Sequence, residues 1–194
     1  MNIWSDTDYA GCRETRKSTS GGLITIGDHI IRFWSSTQKV IALSSGEAEY
    51  YGMVRAAAEG IGSKSILADM HVNVKLKLME DSSAAKGIAE RTGLGKVRHI
   101  EVNQLWLQEK VYNGDIIVEK VGTDDNLADA LTKPLTSQGI LKHVEGLRYE
   151  MRQDRHRLAP SVEEAGDGDV DDNDDDDDDD GKYGGDDYEE DPGE

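Results

Sequence analysis

The stretch "ALSSGEAEYYG", residues 42–52, sets the reading of the whole chain. It holds two glutamates, Glu47 and Glu49, two positions apart where a helix begins. A helix turns about 100° per residue, so the two side chains point to nearly opposite sides. Only one of them can face a reaction. Ser44 and Glu47 stand three apart, the spacing of a capping box, in which Glu47 reaches back to the first free N–H of the helix. Glu49 then projects the other way, with Met53 one turn on, toward whatever the helix packs against.

Outward from this stretch the chain alternates strand and helix patterns. "MNIWSDTDYA" reads as a strand ending in acidic residues, "CRETRKSTSG" as a polar loop. "GLITIGDHIIRFWSS" reads as two strands meeting at Gly27-Asp28, a hairpin signal. The helix from Ser45 to about Met70 spaces Met53, Ala57 and Ile61 at helical intervals. "KLKLMED" is a strand with Leu76 and Leu78 on one face and Lys77, Met79 and Asp81 on the other. "SSAAKGIAE" predicts a short helix, "HIEVNQLWLQEKVYN" an amphipathic one, and "GDIIVEKV" a strand. "TDDNLADALTKPL" predicts a helix stopped by Pro134, and "SQGILKHVEGLRYEMR" one more. Three meandering strands followed by crossovers indicate an α/β fold, a mixed sheet with helices on its faces.

Charge divides the 194 residues unevenly. Of 40 acidic residues, 19 lie from Ser161 onward against one basic residue, Lys182. Residues 1–160 therefore carry 21 charges of each sign, and the net −18 belongs to the tail. A nucleic-acid partner is not excluded by that total. Residues 161–194, with seven aspartates at 174–180, cannot bury a core and are expected to be a disordered acidic tail. Basic proteins are partners such a tail could hold. Cys12 is the only cysteine, which excludes an internal disulfide and a cysteine-based zinc site. There is no signal-peptide pattern and no apolar run of about 20 residues, so an intracellular location, cytoplasmic or nuclear, is expected.

Four acidic residues fall where strands end or helices begin: Asp6, Glu49, Asp81 and Asp129. Strand ends of open α/β sheets collect ligand sites. Converging carboxylates repel one another unless a hard cation joins them, and oxygen ligands suit magnesium or manganese. On spacing alone a solvated acidic surface is the stronger reading. Six pieces change that weighting: "SDTDYAG", "RKSTSGG", "FWSSTQKVIALSSGEAEYYG", "EDSSAAK", "VRHIEV" and "DDNLADALTKPL". In this order, over about residues 3–135, they resemble the ribonuclease H domain of copia-type LTR retrotransposon Pol polyproteins.

The resemblance implies a ribonuclease H-like fold, a five-stranded mixed sheet flanked by helices, over residues 1–135. Residues 136–160 are then a helical extension. It implies a metal-dependent endoribonuclease that cleaves the RNA strand of RNA–DNA hybrids with two Mg2+ ions (Mn2+ as a substitute), next to a reverse transcriptase in a full polyprotein. Carried over position by position, the catalytic and metal-binding carboxylates fall on Asp6, Glu49, Asp81 and Asp129. Glu80 and Ser82 depart from the family pattern around Asp81, and no histidine precedes Asp129 in "EKVGTDDNLAD".

Near Asp6, Arg13, Arg16, Lys17 and Ser18 form a polar basic loop suited to phosphate. Lys96 and Arg98 make a second basic group, and Lys133 follows Asp129. For each of these a solvated surface is an equal reading. Asp8 fits a turn better than a ligand role. His99 fits capping or packing better than catalysis, and Trp34 fits the core better than base stacking. Two other functions compete with the nuclease: an inactive nucleic-acid or chromatin-interaction protein that keeps the fold, and a related two-metal nuclease such as an integrase or resolvase. "SSGEAEY" and "LADALTKPL" argue against the last.

Overall fold

The computed structural model describes residues 1–95, 99–100 and 102–150. The expectations for Lys96, Arg98, residues 151–160 of the extension and the acidic tail lie outside the described residues. Five strands form one sheet: β1 (Asn2–Asp8), β2 (Thr19–Ile26), β3 (His29–Thr37), β4 (Leu76–Glu80) and β5 (Ile116–Lys120), in the spatial order β3-β2-β1-β4-β5. The first three form an antiparallel meander, while β4 and β5 run parallel to β1. This is the five-stranded mixed sheet with flanking helices that the sequence resemblance implies. The hairpin turns at Gly27, whose φ of 57° is the left-handed conformation that glycine adopts without a steric cost.

Helix α1 (Ser45–Asp69) crosses one face of the sheet, and α2 (Ser83–Glu90) and α3 (Trp106–Tyr112) pack beside it. Burying that face explains the strand patterns. Along β4 the buried residues are Leu76, Leu78 and Glu80, alternating with half-exposed Lys77 and Met79. Ile3, Ile24, Met53, Ala57, Leu107 and Ile116 complete the core under α1. The helix lies very close to β1. A Cβ at Gly52 would stand 2.5 Å from Thr7 Oγ1, and one at Gly60 2.1 Å from Ile3 Cδ1. Trp34 is 8% exposed and belongs to this core, as its position on a strand leads one to expect.

Two expected helices take a different form. The segment before α3 is a 3-10 turn, Val102–Gln104, and the α-helix is confined to 106–112. Tyr50 donates its hydroxyl to the Gln104 carbonyl at 2.8 Å, which takes that oxygen out of the helical ladder. "TDDNLADALTKPL" forms no α-helix but two 3-10 turns, Thr123–Asp125 and Asp129–Leu131. The competing side chain is Asn126: its Oδ1 accepts the Ala128 N–H at 3.1 Å while its Nδ2 donates to the Ser5 carbonyl at 2.8 Å. Helix α4 (Ser137–Gly146) starts from a Thr136 cap and packs back on the domain, with Gly146 over Leu127. Just beyond it, Arg148 pairs with Asp28 at 2.8 Å.

Candidate active site

The parallel register of β1 and β4 is the first element of the site. Trp4 pairs with Met79, so two residues further on each strand Asp6 comes level with Asp81. Glu49, at the start of the second turn of α1, reaches over the ends of these strands. One carboxylate oxygen from each of Asp6, Glu49 and Asp81 lies within 4.8 Å of the others. Three elements separated by as many as 75 positions in the chain thus bring their acids to one point. Glu49 Oε2 is buried and has no hydrogen-bond partner. A buried carboxyl oxygen without a donor is one that a cation would complete, and three carboxylates form a hard donor set suited to magnesium or manganese.

Asp129 joins the site through a lysine. Lys133, four residues on, hydrogen-bonds to Asp129 Oδ1 and stands 3.8 Å from Asp6 Oδ2. The same Asp6 oxygen accepts a hydrogen bond from Thr132. Three of the four expected carboxylates come together directly, and Asp129 stands apart from them, linked to Asp6 by the Lys133 ammonium. Lys133, a candidate phosphate contact by its place in the sequence, is turned inward on two of the acids.

Crowding and burial set the protonation of the site. Burial raises the Glu49 pKa to about 10, with the charges of Glu80, Asp6 and Asp81 adding to it and Lys133 opposing. Burial also raises the Asp6 pKa, against the Thr132 hydrogen bond and the Lys133 charge; Asp129 and Asp81 push the same way as burial. For Lys133 burial works to lower the pKa, but the Asp129 hydrogen bond and the charges of Asp6, Asp129 and Asp81 outweigh it and the pKa is raised. In the absence of a metal ion the site keeps a proton on Glu49 at neutral pH.

The second glutamate of the opening stretch has a separate place. Glu47 is 2% exposed and holds the helix start: its N–H donates to Ser44 Oγ at 3.2 Å. Its carboxylate accepts the Leu43 N–H at 3.0 Å, the Tyr51 hydroxyl at 2.8 Å and His99 Nε2 at 2.7 Å. The expected box thus closes on Leu43, one residue before the cap, because the carboxylate is shared with Tyr51 and His99. His99 binds this structural glutamate and not the three-acid group.

Glu80, fully buried, lies on the core face of β4 opposite to Asp81, as alternation implies. It accepts the Ser5 hydroxyl at 2.8 Å and the Ser82 N–H at 3.0 Å. Burial raises its pKa to about 8 despite those two donors. It ties β1 to the turn that carries Asp81, a part that sequence reasoning did not assign. Strand parity with Leu76 and Leu78 was the available signal. Asn126 and Thr132 were missed too, since nothing in their local pattern shows partners in β1, more than 120 positions away.

Of the expected phosphate contacts, Arg13 and Arg16 are exposed and Lys17 is half-buried on the loop between β1 and β2. Ser18 does not share that role. It is 1% exposed and its Oγ accepts the Ala10 N–H at 2.9 Å, so it braces the loop from inside. Asp8 accepts the Thr19 N–H, the turn-fixing role expected of it.

No family model matches the chain. Over 148 residues, 74% of its length, it is 33% identical to the retrovirus-related Pol polyprotein from transposon TNT 1-94 of Nicotiana tabacum, of which it covers 11%. It is 30% identical over 139 residues, 70% of its length, to the retrovirus-related Pol polyprotein from transposon RE1 of Arabidopsis thaliana, covering 10% of that protein. The chain thus spans about a tenth of the length of these curated relatives. Among solved structures it is similar to LC11-RNase H1 in complex with an RNA/DNA hybrid, at 18% identity and a TM-score of 0.46 over 68% of this chain and 92% of that one. It is also similar to the N-terminal RNase H domain of Rv2228c from Mycobacterium tuberculosis, at 17% identity and a TM-score of 0.47 over 74% and 95% of the two chains.

Proposed function

We propose that this chain is a ribonuclease H domain of the copia-type Pol kind, hydrolysing the RNA strand of an RNA–DNA hybrid in a metal-dependent reaction. The observation that carries the reading is the meeting of Asp6, Glu49 and Asp81 oxygens within 4.8 Å, with one buried oxygen unpartnered. Similarity to transposon Pol polyproteins over about three quarters of the chain supports it. So does the order of the six motifs. In a full polyprotein the domain would adjoin a reverse transcriptase.

Asp6, Glu49 and Asp81 would hold one ion, and Asp6 with Asp129 a second. Magnesium bound there supplies an activated water and charge stabilisation at the leaving oxygen in phosphodiester hydrolysis. The chain's own residues do the rest. Thr132 fixes the Asp6 carboxylate, Asn126 holds the Asp129 turn against β1, and Glu80 anchors the strand end that carries Asp81. Glu49 must give up its proton before it can serve as a ligand. Arg13 and Arg16, exposed, and half-buried Lys17 lie on the loop between β1 and β2 and would neutralise backbone phosphate.

The test is cleavage of an end-labelled RNA–DNA hybrid with and without Mg2+, using the chain and its Glu49→Gln and Asp81→Asn variants. Metal-dependent cutting of the RNA strand alone, lost in both variants, is the expected result. Hybrid binding with no cutting at any metal concentration would refute the enzyme and favour a nucleic-acid-binding protein that keeps the fold.

A further inference from the structure

We propose that Lys133 is an internal cation that holds the Asp6–Asp129 half of the site until a metal ion displaces it, so that the two halves fill in a fixed order. The inference rests on the metal-binding reading above and concerns what the chain itself contributes to it. The two halves are not alike. On one side the Asp6, Glu49 and Asp81 oxygens stand together, and Glu49 Oε2 has no hydrogen-bond partner among the described residues. On the other side Lys133 Nζ is bonded to Asp129 Oδ1 and lies 3.8 Å from Asp6 Oδ2, an oxygen already engaged by Thr132. A lysine ammonium is a compact point charge, close in role to a small cation.

An ion entering between Asp6 and Asp129 has to move the ammonium away, because the ammonium already fills the gap between their oxygens and repels an incoming cation there. Lys133 can leave. Its side chain is 43% exposed and sits on a flexible four-carbon stem beside Pro134, which ends the turn. An ion entering among Asp6, Glu49 and Asp81 leaves the hydrogen bond of Lys133 to Asp129 intact, and meets the ammonium only at the longer 3.8 Å approach to Asp6. The first ion therefore goes to the three-acid side, and the second meets a resident competitor. Once expelled, the ammonium lies at the mouth of the site, where a phosphate would meet it.

The experiment is Mn2+ binding to the full chain, followed by calorimetry and by the electron paramagnetic resonance signal of free Mn2+. Wild type is compared with Lys133→Met, Lys133→Gln and Lys133→Arg. An Asp6→Asn chain measured alongside gives the contribution of the acidic tail, which is common to all. Wild type and Lys133→Arg are expected to bind two ions in separate steps. In Lys133→Met and Lys133→Gln the second step should tighten at least tenfold while the first changes less than threefold. In the wild type, NMR of the Lys133 side-chain 1H–15N signal should shift during the second step of a Mg2+ titration. An unchanged or weakened second step in both neutral variants would overturn the inference and leave the metal site standing. Failure of the wild-type chain to bind any ion above the Asp6→Asn background would overturn both.

Discussion

Glu49→Gln should stabilise the metal-free protein, and by an amount that grows with pH. The Glu49 carboxyl is pushed from an ordinary value of 4.5 to about 10. Between these two values the unfolded chain has lost the proton while the folded one keeps it. The folded state then binds more protons, so stability is fully present below about pH 4.5 and is lost as pH rises toward 10. Each pH unit in that window is worth about 1.4 kcal/mol, so at pH 7 the wild type carries a penalty of at most about 3 kcal/mol from this one residue. Gln does not ionise and is free of it. Urea unfolding in the presence of a chelator, at pH 5 to 8, should show the two proteins differing by under ~1 kcal/mol at pH 5 and by about 3 kcal/mol at pH 7. That is roughly 10 °C in midpoint for a domain of this size. Saturating Mg2+ should reverse the order, stabilising wild type and not the variant, with a proton released on binding. Parallel pH profiles, or a variant less stable than wild type throughout, would refute the claim that a buried, donor-poor carboxyl sits at Glu49.

The other predictions concern the parts around that carboxyl. Glu47→Ala should cost about 1 kcal/mol in denaturant unfolding, because three part-buried donors lose their acceptor, yet leave Mn2+ affinity within twofold. Asn126→Ala should cost about 2 kcal/mol as well and lower hybrid cleavage, since the Asp129 turn loses its tie to Ser5; unchanged cleavage would show that the turn holds itself. Gly52→Ala, forced against Thr7 at 2.5 Å, should destabilise by roughly 1–3 kcal/mol and slow cleavage by shifting α1 relative to Asp6. A thermal melt and a single-turnover assay on the same preparation decide it.

Most of the sheet could be read from the chain because its signals are local. Alternation in "KLKLMED" placed Leu76 and Leu78 inside, and Gly27 marked the hairpin. That Glu47 and Glu49 point to opposite sides followed from helix geometry, and the capping-box spacing set Glu47 at the helix start, although its partners could not be read; the role of Glu49 came from the family resemblance. What local pattern could not supply was anything decided by a residue far along the chain. "TDDNLADALTKPL" looks helical by propensity, and it is the Asn126 bond to Ser5, 121 residues away, that holds it in 3-10 turns. Lys133 likewise resembles a surface lysine until Asp6, brought over by the fold, is placed beside it. Glu80 looked like a departure from a motif, and only burial against Ser5 gives it work to do.

The bond from Asn126 to Ser5 and that from Thr132 to Asp6 close loops of 121 and 126 residues. Such closures are entropically costly and come late in folding. A ribosome adds about 5–20 residues per second, so the chain spends seconds with Asp6, Glu49 and Asp81 already made and the Asp129 segment not yet emerged. During that interval the first strand has no Asn126 and no Thr132 to fix its acid. The full set of carboxylates exists only after residue 133 is free to reach back across the sheet. On the proposed reading, the fourth carboxylate joins the other three only when the Asp129 segment folds back onto the sheet, so cutting depends on this long-range closure.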